Sequence, residues 1–90
     1  MFTGLIEEVG TVIAVKTSKS GNQLKIAAQS VAQKIRPGHS VAVNGCCLTL
    51  SSRHGDELIF DLLEETMGRT NLKNLRRKQS VNLERAVAAT

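Results

Sequence analysis

The sequence predicts an all-β domain, a closed barrel of six short antiparallel strands with one or two short helices beside it. Three observations lead there. Runs that are rich in β-branched residues, or that alternate apolar with polar, recur along the whole chain. Clusters of Gly, Pro, Asn, Asp and Ser separate them. The 90 residues are 41% hydrophobic, with no internal repeat, low-complexity tract or linker, which suits one modest core and is too short for two. Closure is favoured over an open sheet because a small barrel hides its strand edges. Residues 1–90 therefore read as a single domain.

The elements follow in order. Residues 9–16 read Val-Gly-Thr-Val-Ile-Ala-Val-Lys, a β-branched first strand, and Ser20-Gly21-Asn22 gives a turn. Residues 23–28 alternate, Leu24 and Ile26 on one face and Gln23 and Lys25 on the other, so the two runs make a hairpin. Residues 30–35 suit one helical turn, with Ser30 as the cap and Gln33 three positions on. Pro37-Gly38 ends it. Residues 40–44 are a third strand and 47–53 a fourth, and Gly45 between them marks a bulge or sharp bend. His54-Gly55-Asp56 is a second hairpin turn, and residues 57–63 are a fifth strand. Residues 64–69 read as a short helix, with Asp61 or Leu62 near its start and Gly68 near its end. Residues 71–75 form a loop or short turn. Residues 80–85 are the sixth strand, Val81 and Leu83 facing in, Asn82 and Glu84 facing out. The tail, 86–90, is small and apolar.

Composition removes several functions. No apolar run approaches the roughly 18 residues of a membrane span, and Met1-Phe2-Thr3-Gly4 has no basic leader or apolar signal core. The adjacent Cys46 and Cys47 make neither a disulfide framework nor a zinc site, which fits a reducing cytoplasm. The net charge of +4 is carried largely by Lys73, Arg76, Arg77 and Lys78, a block that reads as a solvated loop. Phe2 and Phe60 are the whole aromatic content. Nucleic-acid binding is therefore not expected, because single-strand binders stack bases on aromatic side chains. His39 and His54 fall in turns and read as surface histidines.

Three clusters stand out as chemistry. The N-terminal Phe2-Thr3-Gly4-Leu5-Ile6 runs straight into a strand, so the terminus should be tied down. In Asn44-Gly45-Cys46-Cys47-Leu48-Thr49, alternation puts Cys47 and Thr49 on one face and Cys46 and Leu48 on the other. One face is core; the other pairs a thiol with a hydroxyl. Cys46 also reads simply as a small buried hydrophobe. The third, Phe60-Asp61-Leu62-Leu63-Glu64-Glu65-Thr66, crosses from strand to helix start. Carboxylates at such a start also serve the helix dipole alone.

Together these clusters resemble riboflavin synthase. The resemblance rests on Met1-Phe2-Thr3-Gly4, on Asn44 through Thr49, on Phe60-Asp61-Leu62 with Glu65-Thr66 and Thr70-Asn71-Leu72, and on Val81-Asn82-Leu83-Glu84-Arg85-Ala86, four motifs in order. It implies a Greek-key topology. It also implies a family of two similar barrels in tandem with a C-terminal trimerising helix. The reaction implied converts two 6,7-dimethyl-8-ribityllumazine molecules to riboflavin and 5-amino-6-ribitylaminopyrimidinedione, without metal or redox cofactor. This chain then corresponds to the N-terminal half, expected as a homodimer alone and a homotrimer in the full enzyme. By position, the resemblance assigns ligand binding to Gly4, Leu5, Ile6, Cys47, Leu48, Thr49, Asp61, Leu62, Leu63, Glu64, Glu65 and Thr66. Leu5, Ile6, Leu62 and Leu63 are to form an apolar slot for the ring. Thr49, Glu65 and Thr66 are to bind ribityl hydroxyls, and main-chain groups of the first two clusters the pyrimidinedione edge. Phe2 and Cys47 lie nearest the chemistry, Cys47 as nucleophile or proton relay, with water or a ribityl hydroxyl as the alternative nucleophile. The other implied reading is a module of the same fold that holds lumazine or flavin without turnover.

Overall fold

The computed structural model describes residues 2–69 and 72–87. Met1 of the first motif, Thr70 and Asn71 of the third, and residues 88–90 of the tail lie outside them. β1 (Glu8–Ser18) and β2 (Gly21–Ala27) form the expected hairpin, antiparallel from Thr11↔Ala27 to Ser18↔Gly21. β3 (Ser40–Val43), β4 (Cys46–Thr49), β5 (Ser52–His54), β6 (Glu57–Leu62) and β7 (Ser80–Arg85) complete one sheet in the order β4-β3-β7-β1-β2-β6-β5.

The described residues thus hold seven strands where the sequence predicts six. The difference lies in the predicted fourth strand, which bends at Leu50–Ser51 and divides into β4 and β5. The first half pairs with β3 and the second with β6. These are the two ends of the sheet, so one bent segment serves both edges and the sheet curls toward a barrel. Main-chain bonds run through the bend: Gly38 N–H donates to Leu50 O at 2.8 Å, Leu50 N–H to His39 O at 2.9 Å and Ser51 N–H to Ile59 O at 2.9 Å. Counting β4 and β5 as one strand, β3, β4/β5 and β6 follow one another antiparallel and β7 returns beside β3. That is the Greek-key pattern.

The core is the set of inward positions. Leu24 pairs with Phe60 and Ile26 with Leu58, and all four are fully buried, as are Val41, Val43 and Leu83. The turns obey local chemistry. Asn44 and Gly45 have φ of 49° and 81°, the mirror-image turn that joins antiparallel strands with two residues and favours Asn-Gly. Gly45 therefore sits in a tight hairpin and not in a bulge.

The two helices are single turns, α1 (Gln29–Ala32) and α2 (Glu64–Met67). Ser30 does not cap α1. The cap position is Ala28, and the helix N–H groups are met by Glu8 of β1, whose carboxylate accepts from Ser30 N–H at 3.1 Å and Val31 N–H at 2.7 Å. A carboxylate arriving from another strand satisfies the same orphan donors as a local cap. Glu8→Ala should lower stability by about 1 kcal/mol, with Glu8→Gln losing less, read from denaturant midpoints. Among the described residues no helix is long and apolar enough to cross a membrane.

Candidate functional site

β4 carries the most pronounced functional signal. Cys46 and Leu48 are buried, while Cys47 and Thr49 are exposed, as alternation requires. Leu48 thus gives its side chain to the core and its main chain to the pairing with Val41 of β3. The side chain of Leu62 likewise points inward with Leu58 and Phe60 and is 8% exposed, so it offers little apolar surface to a slot.

The hairpin register decides what the main chain of β4 can do. Val43 and Cys46 flank a two-residue turn, so they are a hydrogen-bonded pair, and Val41↔Leu48 is the next. Ala42↔Cys47 and Ser40↔Thr49 are the non-bonded pairs between them. Cys47 and Thr49 therefore turn their N–H and C=O groups away from β3, to the edge where β4 ends the sheet. Beyond the bend β6 runs past this edge without pairing to it. Asp61 N–H donates to Ser51 Oγ at 2.8 Å, which closes the base of a fork. One prong is the free edge of β4; the other is the end of β6 from Asp61, which leads into α2, itself packed beside β2. The second and third sequence clusters meet here.

The third cluster divides by exposure. Asp61 is exposed and accepts from Gln23 Nε2 at 3.1 Å. Leu63 is 71% exposed, and its carbonyl accepts from Thr66 N–H at 3.0 Å and Met67 N–H at 3.1 Å. Glu64 and Glu65 are exposed in the first turn of α2, and Thr66 is half-buried. An open cleft of about 450 Å³ is lined by Asp61, Leu62 and Leu63 with Lys16 and residues of the β1–β2 turn. It lies on the β2 side of β6.

The N-terminal cluster lies against the outer side of β7 and β3. Glu84, placed outward by alternation, is on the outer face but only 8% exposed, because the N-terminal segment covers it. Its carboxylate accepts from Thr3 N–H at 2.6 Å, Thr3 Oγ1–H at 2.8 Å and Gly4 N–H at 3.1 Å. The terminus is tied down as expected, and the anchor is a residue sequence reasoning had left in solvent. Ala42 pairs with both Glu84 and Cys47, so the three stand in one row across β7, β3 and β4. Gly4 and Ile6 line a cleft of about 300 Å³ with Ala42, Asn44, Gly45 and Glu84, while Leu5 lines another with Glu7, Arg85 and Val87. Leu5 is 72% and Ile6 57% exposed; Phe2 is half-buried.

Glu7 and Arg85 close the far end of the segment, the guanidinium Nη2 donating to the carboxylate at 2.9 Å. The Arg85 side-chain bond, helped by the Arg85 N–H, holds the Glu7 carboxyl below the usual carboxylate range. The pair is a third exposed, so its net worth to stability is small. Among the described residues no group of three His, Cys, Asp or Glu could hold a metal ion. Lys73, Arg76, Arg77 and Lys78 are exposed and lie on loop positions before β7, apart from the fork.

The family profile described as Lumazine binding domain matches residues 3–86. A riboflavin synthase of Bacillus amyloliquefaciens is 43% identical over 89 residues, covering 99% of this chain and 41% of the relative. One from Actinobacillus pleuropneumoniae is 42% identical, with the same coverage. The chain thus spans about two fifths of the length of these relatives. Among solved structures, LumP complexed with riboflavin superposes with a TM-score of 0.85 at 26% identity, over 94% of this chain and 46% of that one. LumP complexed with 6,7-dimethyl-8-(1'-D-ribityl) lumazine gives 0.85 at 25% identity, over 96% and 49%. With a family match over nearly its whole length and the same curled sheet, the chain belongs to the lumazine-binding domain family.

Proposed function

We propose that this chain binds 6,7-dimethyl-8-ribityllumazine and riboflavin in the fork between β4 and α2, as the N-terminal half of a riboflavin synthase. The observation that carries the reading is the free edge of β4, where Cys47 and Thr49 present main-chain donors and acceptors beside the end of β6, Phe60 to Leu62, which pairs with β2 on one side only. A pyrimidinedione offers carbonyl, N–H and carbonyl along one side, the complement of a strand edge. The ribityl hydroxyls reach toward Thr49, Glu65 and Thr66, whose side chains are polar and accessible. Leu63, Leu5 and Ile6 supply exposed aliphatic cover for the ring.

In the reaction, one lumazine loses a proton from its 7-methyl group, and the carbanion delocalises into its own ring. A nucleophile adds at C7 of the second lumazine, and a four-carbon unit passes between the two. The atoms of two lumazines are conserved in riboflavin and the aminopyrimidinedione, so no external oxidant is required. In this reading Cys47, an exposed thiol on the free edge, adds to C7 or relays a proton, with water or a ribityl hydroxyl as the alternative nucleophile. Stacking two substrates is worth much on its own, since orientation can contribute about 7–11 kcal/mol. A second barrel is needed to bring the second lumazine, from another copy of this chain or from further sequence of the full enzyme. The exposure of Leu5, Ile6 and Leu63 supports such a cover, as homodimer or, in the full enzyme, homotrimer.

Titration of riboflavin and of the lumazine by fluorescence anisotropy tests the binding. With no Trp or Tyr in the chain, flavin emission should survive binding. Saturation with Kd in the micromolar range, about −8 kcal/mol, is expected; no rise in anisotropy at a large protein excess overturns the reading. The likeness to ligand-bound LumP favours one alternative, a carrier without turnover. It predicts equally tight binding and no lumazine consumption once a C-terminal barrel is joined on.

A further inference from the structure

We infer that Glu84 is a positioning residue for the ligand site, a buried clamp that presents Leu5 and Ile6 as a rigid apolar strap; this rests on the proposed ligand reading. A carboxylate 8% exposed in a small domain is costly unless its oxygens are satisfied. Here two successive main-chain N–H groups and a hydroxyl converge on it, at 2.6 Å, 3.1 Å and 2.8 Å. Hydrogen bonds to an ionised acceptor are the stronger kind, and consecutive N–H groups make a natural nest for an anion. The Thr3 hydroxyl passes the order onward: it donates to Glu84 and accepts from Leu5 N–H at 3.2 Å. The other end of the strap is fixed to the neighbouring residues of the same strand, Glu7 N–H to Leu83 O at 2.8 Å and Arg85 N–H to Glu7 Oε1 at 2.7 Å.

Both ends of the strap are therefore tied to β7, while the two apolar side chains between them are left 72% and 57% exposed. Free peptide would turn such side chains toward the nearest apolar surface. The clamp prevents this and holds Ile6 at the cleft it shares with Ala42, the residue that pairs with Cys47, and Leu5 at the next cleft beside Arg85. A strand terminus that served stability alone would bury its Leu and Ile. This one spends its strongest polar contacts on keeping them available on the outer side of β7 and β3.

The test compares wild type, Glu84→Ala, Glu84→Gln and Thr3→Val by riboflavin titration, thermal unfolding and hydrogen exchange at the Thr3, Gly4 and Leu5 amides. Glu84→Ala should weaken riboflavin binding by about tenfold, the effect of one lost charged contact, with exchange at the three amides sharply faster. Glu84→Gln keeps one acceptor oxygen and should recover part of both effects. Thr3→Val alters an exposed residue outside the strands, so it tests the strap even if Glu84→Ala fails to fold. It should weaken binding and speed Leu5 exchange without lowering the melting temperature. If wild type does not bind riboflavin, the functional reading falls and the positioning role with it. If wild type binds and folded variants lose amide protection yet bind as tightly, only the positioning role is overturned.

Discussion

Replacing Gly10 with alanine is expected to destabilise the domain by about 2–3 kcal/mol, a fall in melting temperature of roughly 10–20 °C for a chain of this size. Gly10 lies near the start of β1, paired with Val81 of β7. A methyl group there would sit 2.7 Å from Leu83 Cδ1, 2.9 Å from Ala27 O and 2.9 Å from Ile26 Cγ2. Leu83 and Ile26 are fully buried, so neither side chain has room to retreat. The Ala27 carbonyl belongs to a strand held on both sides, by Thr11 and by Glu57. Relief requires β1 and β2 to part at the point where β1 leaves β7 for β2. Alanine's better backbone entropy, about 0.5–1 kcal/mol, offsets only part of the cost. Gly68→Ala is the matched control. A methyl there meets nothing closer than 3.5 Å, and φ is −77°, so the change should stay within about 0.5 kcal/mol. Equal effects from the two substitutions, measured by denaturant unfolding, would remove the steric argument.

What the sequence made legible follows the distance over which its signals act. Period-two alternation is local, and it placed Leu24, Ile26, Val81 and Leu83 inward and Cys47 and Thr49 outward. The turns at Pro37-Gly38 and His54-Gly55-Asp56 are likewise local. At Gly45 the sequence leaves a bulge or a sharp bend open, and the tight two-residue hairpin is the second of these. The failures are contacts made across the chain. Alternation assigned Glu84 to the correct face, but its burial depends on Thr3 and Gly4, some eighty residues away. Glu8 caps α1 from a different strand, and nothing near residue 30 announces it. The bend at Leu50–Ser51 arises because one run of residues must serve the two edges of a curled sheet, a demand of topology and not of composition. For the site, motif resemblance named the segments, whereas Leu48 and Leu62 show that a segment's membership does not say which of its side chains faces outward.

Thr49→Pro should abolish most ligand binding while leaving the fold in place, and it separates main-chain recognition from side-chain recognition. The register leaves the Thr49 N–H on the free edge of β4, so proline there removes no ladder bond with β3, and edge positions of this kind are where sheets accept proline. The preceding Leu48 is already extended, as a residue before proline prefers. Unfolding should therefore move by no more than about 1 kcal/mol. Binding is different. A pyrimidinedione carbonyl that pairs with the Thr49 N–H would instead face a ring carbon, and a buried acceptor left without its donor costs about 1–3 kcal/mol, a loss of roughly 10- to 100-fold in affinity. Thr49→Val isolates the other contribution: it deletes the hydroxyl and keeps the N–H, so it should reduce the affinity for ribityl ligands while sparing that for lumichrome, which has the ring without the chain. The two variants thus predict different patterns across two ligands. Proline should weaken both, and valine only the one that carries hydroxyls. A folded Thr49→Pro protein that binds riboflavin as tightly as wild type would show that the ring does not pair with β4, and the fork would lose its claim to be the site.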